Sequence, residues 1–469
     1  MNSKVDIREG KQHEADCLSA FFELTKCPPS CVPTVTSSAR NEAEGFFRLG
    51  GLQLYGCMDG VSTPPNGAER SLNIDSLFAV KNGSIVLPFN PTEVIENLRR
   101  EKYVSTASTQ ISYIANTKSL PRRIYYAIRP LMPVKVRRHL QRMALQDWSK
   151  ITFPSWPVDT TVENLVEVLW RLSLEAVGGG EIPFIWYWPE SYESCAIMTH
   201  DVETGEGQDF CGRMLEIERE HGIRSAFEVV PEVRYVVSQQ VLEMIRRGGC
   251  EVCVHGLNHD GRLFSSEELF RSRAKAINQY AKDWGAKGFR SPVMYRNLDW
   301  YDAFCFSYDM SVPNVAHLDP QRGGCCTVFP YFVGDVLELP LTTIQDYPLY
   351  NILRIDPMEM WSKQMETIAA RNGLMSFIIH PDYTIEKDKQ ALYGQLLKMI
   401  RRFGEERNAW LALPGEVDTW WRERATMRLE LEKGTWVVRG KGSERASVAY
   451  AAIKNGRVTI VPPERKSNT

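Results

Sequence analysis

Between Ser194 and Pro414, short apolar runs alternate with longer amphipathic ones, the pattern of parallel strands joined by helices. The runs CAIMTHDVE, SAFEVV, EVCVHG, KGFRS, VLELPLT and SFIIHP read as strands. SQQVLEMIRRGG, SSEELFRSRAKAINQYAKDWG and PMEMWSKQMETIAARNG repeat apolar residues at helical spacing. Upstream, GFFRLGGLQLYG and SLFAVKNGSIVLPF predict short strands. TEVIENLRREKY predicts a helix capped by its threonine, and TTVENLVEVLWRLSLEAV a second helix. Beyond Pro414, RLELEKGTWVVRG and SVAYAAIKNGRVTIV alternate around Lys-Gly and Asn-Gly turn pairs, the pattern of a small sheet. The expected division is therefore an extension of mixed strands and helices over 1–190, an α/β domain over 191–415 and a β-rich tail over 416–469.

Composition narrows the class. A chain of 469 residues with 43% hydrophobic and 24% charged residues is an ordinary globular protein, long enough for more than one core. A net charge of -2 argues against a nucleic-acid partner. One segment, Leu120 to Met143, is locally basic through Arg122, Arg123, Arg129, Lys135, Arg137, Arg138 and Arg142. A solvated helix face is the favoured reading of it, over a patch that touches anionic lipid or glycan. The eleven cysteines are scattered without a disulfide framework, which fits a reducing cytosol. The amino-terminal stretch lacks the apolar centre of a signal peptide and no run is long enough to span a bilayer, so a cytoplasmic location is expected.

In sheets of parallel strands, reactive groups gather at the carboxyl ends. Four strand endings carry such groups: Thr199-His200-Asp201-Val202-Glu203, His255-Gly-Leu-Asn-His259, Phe289-Arg290-Ser291-Pro292 and His380-Pro381-Asp382. Strand alternation puts Asp201 and Glu203 on one face, a carboxylate pair suited to a metal ligand beside a general base. His255 and His259, at i and i+4, lie on one face of a helical turn and can share an ion. Against these readings stand an acidic loop, surface histidines, a core histidine at 380 and a structural ion pair at Arg290. Cys250 and Cys253, three apart within a strand, face opposite ways and read as buried thiols.

Taken in order, THDVE, HGLNH, FRSP, DVLELP and IIHP resemble the motifs of the NodB-type polysaccharide deacetylases, carbohydrate esterase family 4. The resemblance covers about Ser194 to Pro414. It implies a deformed (β/α)7 barrel and a hydrolase that removes acyl groups, usually acetyl, from amino sugars with a bound divalent metal. Zinc is the first expectation, with nickel, cobalt and iron as alternatives. By resemblance Asp201 is the catalytic base, His255 and His259 are metal ligands, Arg290 tethers the base and His380 is the general acid. Asp335 or Glu338 would steady Arg290 or His380. The family's second aspartate is Val202 here, and Glu203, one position on, matches a variant of the pattern and takes the ligand role. His200 stands where an aromatic is usual.

An N-acetylated sugar or glycan is thus the expected partner, with an intracellular precursor of a surface polysaccharide as the context. Two other readings share the motifs: a glycan-binding or scaffold protein that the altered first motif has left without turnover, and a hydrolase of another non-peptide carbon–nitrogen bond.

Overall fold

The computed structural model describes residues 17–39, 44–58, 70–72, 80–81, 84–104, 148–353 and 355–463. The basic 120–143 segment lies outside the described residues. The chain divides into two compact units, one of Met1–Tyr103, Thr160–Tyr192 and Trp420–Thr469, the other of Val104–Asp159 and Glu193–Thr419. The segments expected as an extension and a tail therefore contribute to the same unit.

In that first unit, the strand Val448–Lys454 pairs antiparallel with Arg457–Val461 on one side and with Glu181–Ile185 on the other. The helix Thr161–Ala176 buries Val162, Leu165, Leu169 and Trp170, the apolar positions of its sequence pattern. Arg424, fully buried, donates to the carbonyls of Leu24, Ile185 and Trp186 and so joins three stretches distant in sequence. The helix expected in TEVIENLRREKY begins at Pro91, two residues before a Thr92 cap would start it. Its cap is Asn90, whose side chain accepts from the N–H groups of Thr92 and Glu93, in place of the expected threonine. A proline is compatible with the first helical position because no N–H is needed there.

The second unit is built on a nine-stranded sheet. Its strands are β1 (Ser194–Val202), β2 (Ser225–Val229), β3 (Glu251–His255), β4 (Gly288–Arg290), β5 (Tyr308–Asp309), β6 (Tyr331–Val333), β7 (Val336–Glu338), β8 (Leu374–Ile378) and β9 (Ala409–Ala412). The order is β6-β7-β5-β4-β3-β2-β1-β8, with β9 also paired to β1, and only β6 runs antiparallel to its neighbour. All nine residues of β1 and all five of β2 and of β8 are buried, which is why these segments are near-continuous apolar runs.

Helices cross between the strands. Gly205–Glu220 follows β1 and is capped by Thr204, whose hydroxyl accepts the Gly207 N–H. Gln239–Arg247 follows β2, and Glu267–Trp284, capped by Ser266, follows β3. The last of these packs Phe270 and Ile277 into an aromatic core with Phe264, Phe289, Phe304 and Phe306. Burying rings of this size contributes about 2–3 kcal/mol each. The parallel arrangement brings the carboxyl ends of β1, β3, β4 and β8 to one rim of the sheet. All eleven cysteines, Cys250 and Cys253 among them, are free thiols.

Candidate metal and acid–base site

Asp201 lies on β1, and Glu203 just beyond its last residue. Alternation turns the intervening His200 to the opposite side, where its ring meets Glu218 Oε1 at 2.6 Å and the Ile379 carbonyl at 2.7 Å. Tyr393 and Ser225 donate to the same Glu218 carboxylate, so His200 belongs to a buried network behind the rim.

His255 is the last residue of β3. The segment to His259 is a turn, where the sequence pattern suggested one turn of helix. Gly256 takes φ 62° there, and a Cβ on it would lie 2.5 Å from the Pro292 ring, so only glycine fits. His259 itself has φ 52°, and the turn brings the two imidazoles to 5.1 Å between centroids. The same pairing of histidines thus arises from left-handed turn residues instead of helical spacing.

The ligand-type atoms of Glu203, His255 and His259 lie within 4.8 Å of one another. Glu203 Oε1 is 2.8 Å from His259 Nε2 and 4.0 Å from His255 Nε2. The His255 Nδ1 faces the Arg290 carbonyl at 3.1 Å. A carbonyl only accepts, so Nδ1 carries the proton and the Nε2 lone pair is directed at the cluster. Neither His255 Nε2 nor His259 Nε2, both buried, meets a partner in hydrogen-bonding geometry. Burial lowers the His255 pKa to about 4, which keeps the imidazole in its neutral, ligating form. On Glu203, burial acts upward but His259, His380 and His255 outweigh it, holding the carboxyl well below its usual range. Two imidazoles and one ionised carboxylate, with 11% and 19% of the His259 and Glu203 side chains still exposed, fit a divalent metal with open positions. Another group among the described residues, Glu44, Cys57 and Glu93, fits less well, because Glu44 is exposed and Glu93 already accepts the Cys57 N–H.

Beside this cluster, Arg290 donates through Nη1 to Asp201 Oδ1 at 2.7 Å and to the Thr199 hydroxyl at 2.9 Å, and through Nε to the Met310 carbonyl. Asp201 Oδ2 is left facing His255 Nε2 at 3.6 Å and His380 Nε2 at 3.9 Å. Burial would raise the Asp201 pKa, but Arg290, His255 and His380 together hold it below the ordinary value. His380 is buried, yet Asp346 accepts from its Nδ1 at 2.7 Å and from its main-chain N–H at 2.8 Å. Against the opposing effect of burial, Asp346 and then Glu203 and Asp201 lift the His380 pKa to about 10.

The six residues singled out as base, tether, acid and ligands, namely Asp201, Arg290, His380, Glu203, His255 and His259, therefore occupy one cluster. Asp335 and Glu338 stand elsewhere. Asp335 is exposed at the turn between β6 and β7, and Glu338 is buried on β7 with Oε1 accepting the Val312 N–H. The supporting carboxylates found in the structure are Asp346 on His380 and Glu228 on Arg290, the latter at 3.3 Å. Geometry explains the exchange: Asp346 heads a helix, Asp346–Asn351, that abuts the end of β8, and Glu228 is the in-register neighbour of Asp201 across β1 and β2. A charged residue inside the apolar run SAFEVV is the sequence signal that could have found Glu228. Asp346 lies in an ordinary polar stretch and gives no such signal.

These features define an α/β protein with a two-histidine, one-carboxylate cluster flanked by a buried carboxylate and a buried cationic histidine. No family model matches the sequence, and no curated protein does. Among solved structures, 38 chains match. One is a polysaccharide deacetylase, by assignment, from Mycobacterium smegmatis, 17% identical over 53% of this chain and 97% of that one, with a TM-score of 0.42. The peptidoglycan deacetylase PdaC from Bacillus subtilis is 12% identical over 49% of this chain and 93% of its own, with a TM-score of 0.33. A CE4 family pseudoenzyme from Bacillus anthracis is 16% identical over 48% and 65%, with a TM-score of 0.32.

Proposed function

We propose that this chain is a metal-dependent deacetylase that hydrolyses the N-acetyl group of an amino sugar in a glycan or glycan precursor, with the nine-stranded sheet forming a deformed (β/α)7 barrel. The observation that carries the reading is the facing of Asp201 Oδ2 toward both the ligand cluster and His380, within 3.9 Å of His380 Nε2, on whose ring Asp346 favours the proton. A pure binding site has no need of an ionised base and a charged acid on either side of one small space.

Glu203, His255 and His259 would hold the metal, with zinc the first candidate. A bound divalent ion supplies Lewis-acid polarisation of the amide carbonyl and a more acidic water. The chain's own groups account for the protons. Arg290 holds Asp201 by one oxygen, which leaves Oδ2 to take the proton of the attacking water. Asp346 fixes the His380 ring and keeps it charged, so that Nε2 donates to the departing amine nitrogen. One water is consumed, the carbon–nitrogen bond breaks, and acetate and a free amino group result.

The deciding experiment is acetate release from N-acetylated amino sugars and their oligomers by zinc-loaded protein, beside metal analysis. Release that disappears on chelation and returns with zinc supports the reading. Full metal occupancy without hydrolysis of N-acetyl sugars, simple amides or cyclic ureides would favour a binding protein. Turnover of an amide or ureide alone would favour a hydrolase of another carbon–nitrogen bond.

A further inference from the structure

Asp382 follows His380 by two residues, in the short turn Pro381–Tyr383 after β8, and takes no part in the acid–base scheme. Its carboxylate reaches across to the end of β1. Oδ2 accepts the main-chain N–H of Glu203 at 3.3 Å, and Oδ1 accepts the hydroxyl of Thr204. The Thr204 oxygen in turn accepts the Gly207 N–H at 3.1 Å, closing the first turn of the helix Gly205–Glu220.

Glu203 needs such a hold because it lies beyond the final ladder pair of β1 with β2, Val202 and Val229. Past that pair its main chain is held by Asp382 at the nitrogen and by the Arg234 side chain, itself exposed, at the carbonyl. Gly207 completes the arrangement. A Cβ there would stand 2.6 Å from Asp382 Oδ2 and 2.7 Å from its Cγ, so the carboxylate rests against a helix turn left open by a missing side chain. The loop that carries the acid His380 and the loop that carries the carboxylate of the metal cluster are thus fastened to each other through one residue.

We propose that Asp382 is a positioning residue for the metal site: it fixes the main chain of Glu203 and Thr204 so that the Glu203 carboxylate meets the two imidazoles. This rests on the reading of Glu203, His255 and His259 as ligands. The fastening also ties the placement of the ligand to that of His380, so a loosened Asp382 disturbs the metal before it disturbs the acid.

The test is zinc affinity of the full chain, measured by competition with a chromophoric chelator, together with the visible spectrum of the cobalt(II)-loaded protein. Asp382→Asn keeps one acceptor oxygen but puts an NH2 group in place of the other, which can no longer accept the Thr204 hydroxyl or the Glu203 N–H, and Gly207→Ala pushes the carboxylate away from the opposite side. Each is expected to weaken zinc binding about tenfold, the scale of losing a partner that orients a ligand, and to alter the cobalt spectrum. Thermal unfolding of the metal-free proteins, expected to be unchanged for Asp382→Asn, separates this effect from a damaged fold. If both variants fold and bind zinc within roughly twofold of the wild type, with the same cobalt spectrum, the positioning role is overturned while the metal site stands. A wild-type chain that takes up no zinc overturns the metal site beneath it.

Discussion

Arg290 and Asp201 meet through a single oxygen: Nη1 donates to Oδ1 at 2.7 Å while Oδ2 stays turned to the two histidines of the site. Both side chains are buried, so the guanidinium is held by fixed partners and not by solvent. A base that is oriented and ionised by one oxygen can use the other. Asp201→Asn keeps the shape and the bond to Arg290 but removes the base. It is expected to lower kcat by about 10²- to 10⁴-fold with zinc content unchanged, checked by acetate release and metal analysis on the same sample. Equal activity in the variant would remove Asp201 from the chemistry.

Glu203 and His259 approach to 2.8 Å in the ligand cluster. Glu203→Ala leaves two imidazoles, and zinc affinity is expected to fall by at least about a hundredfold, measured by chelator competition. Undiminished affinity would pass the ligand role to Asp201.

The bond from His380 to Asp346 has a pH signature. A general acid works only when protonated, so activity is lost as pH rises through its pKa, and Asp346 is the largest upward influence on a His380 pKa raised to about 10. Asp346→Asn removes that charge and is expected to move the alkaline limb of the kcat profile to lower pH, with a smaller effect on the acid limb. A limb that stays in place would show that His380 does not limit the rate there.

Glu228 bears on stability. It is fully buried, and burial raises its pKa to about 8 against the pull of Arg290, with the adjacent Asp201 adding to the rise. Between the unfolded value near about 4.3 and the raised native value, the folded chain binds the extra proton, so its contribution is present at low pH and is lost as pH climbs toward 8. Glu228→Gln keeps an acceptor for the His200 N–H and cannot ionise. Urea unfolding of the metal-free proteins is expected to show the wild type losing more stability than the variant from pH 5 to pH 8. Parallel curves would place the titration elsewhere.

The strand endings were legible because a strand buried on both faces leaves a continuous apolar run that stops abruptly at a polar group. Asp201, Glu203, His255, Arg290 and His380 all sit at such stops, and strand alternation alone separates His200 from its neighbours. What stayed hidden was whatever depends on pairing between distant segments. His259 reaches His255 through left-handed turn residues that carry no periodic signal. The partner of His380 lies in a helix start 34 residues away, and that of Arg290 lies across one intervening strand, so neither Asp346 nor Glu228 is marked by spacing. The Asn90 cap shows the same limit on a smaller scale, since Asn90 and Thr92 are both good caps and only the fit of Pro91 into the first turn decides between them.

The antiparallel pairing of Glu181–Ile185 with Val448–Lys454 sets an order of assembly. During synthesis the first of these strands leaves the ribosome long before its partner, and β1 to β9 all emerge in the interval. The nine-stranded sheet can therefore form while Glu181–Ile185 still presents an open edge, a template for another chain until the carboxyl-terminal strand arrives to close it. Interrupting translation between Ala412 and Val448 should accordingly yield nascent chains that hold Glu203, His255 and His259 on a complete nine-stranded sheet but associate through that waiting strand.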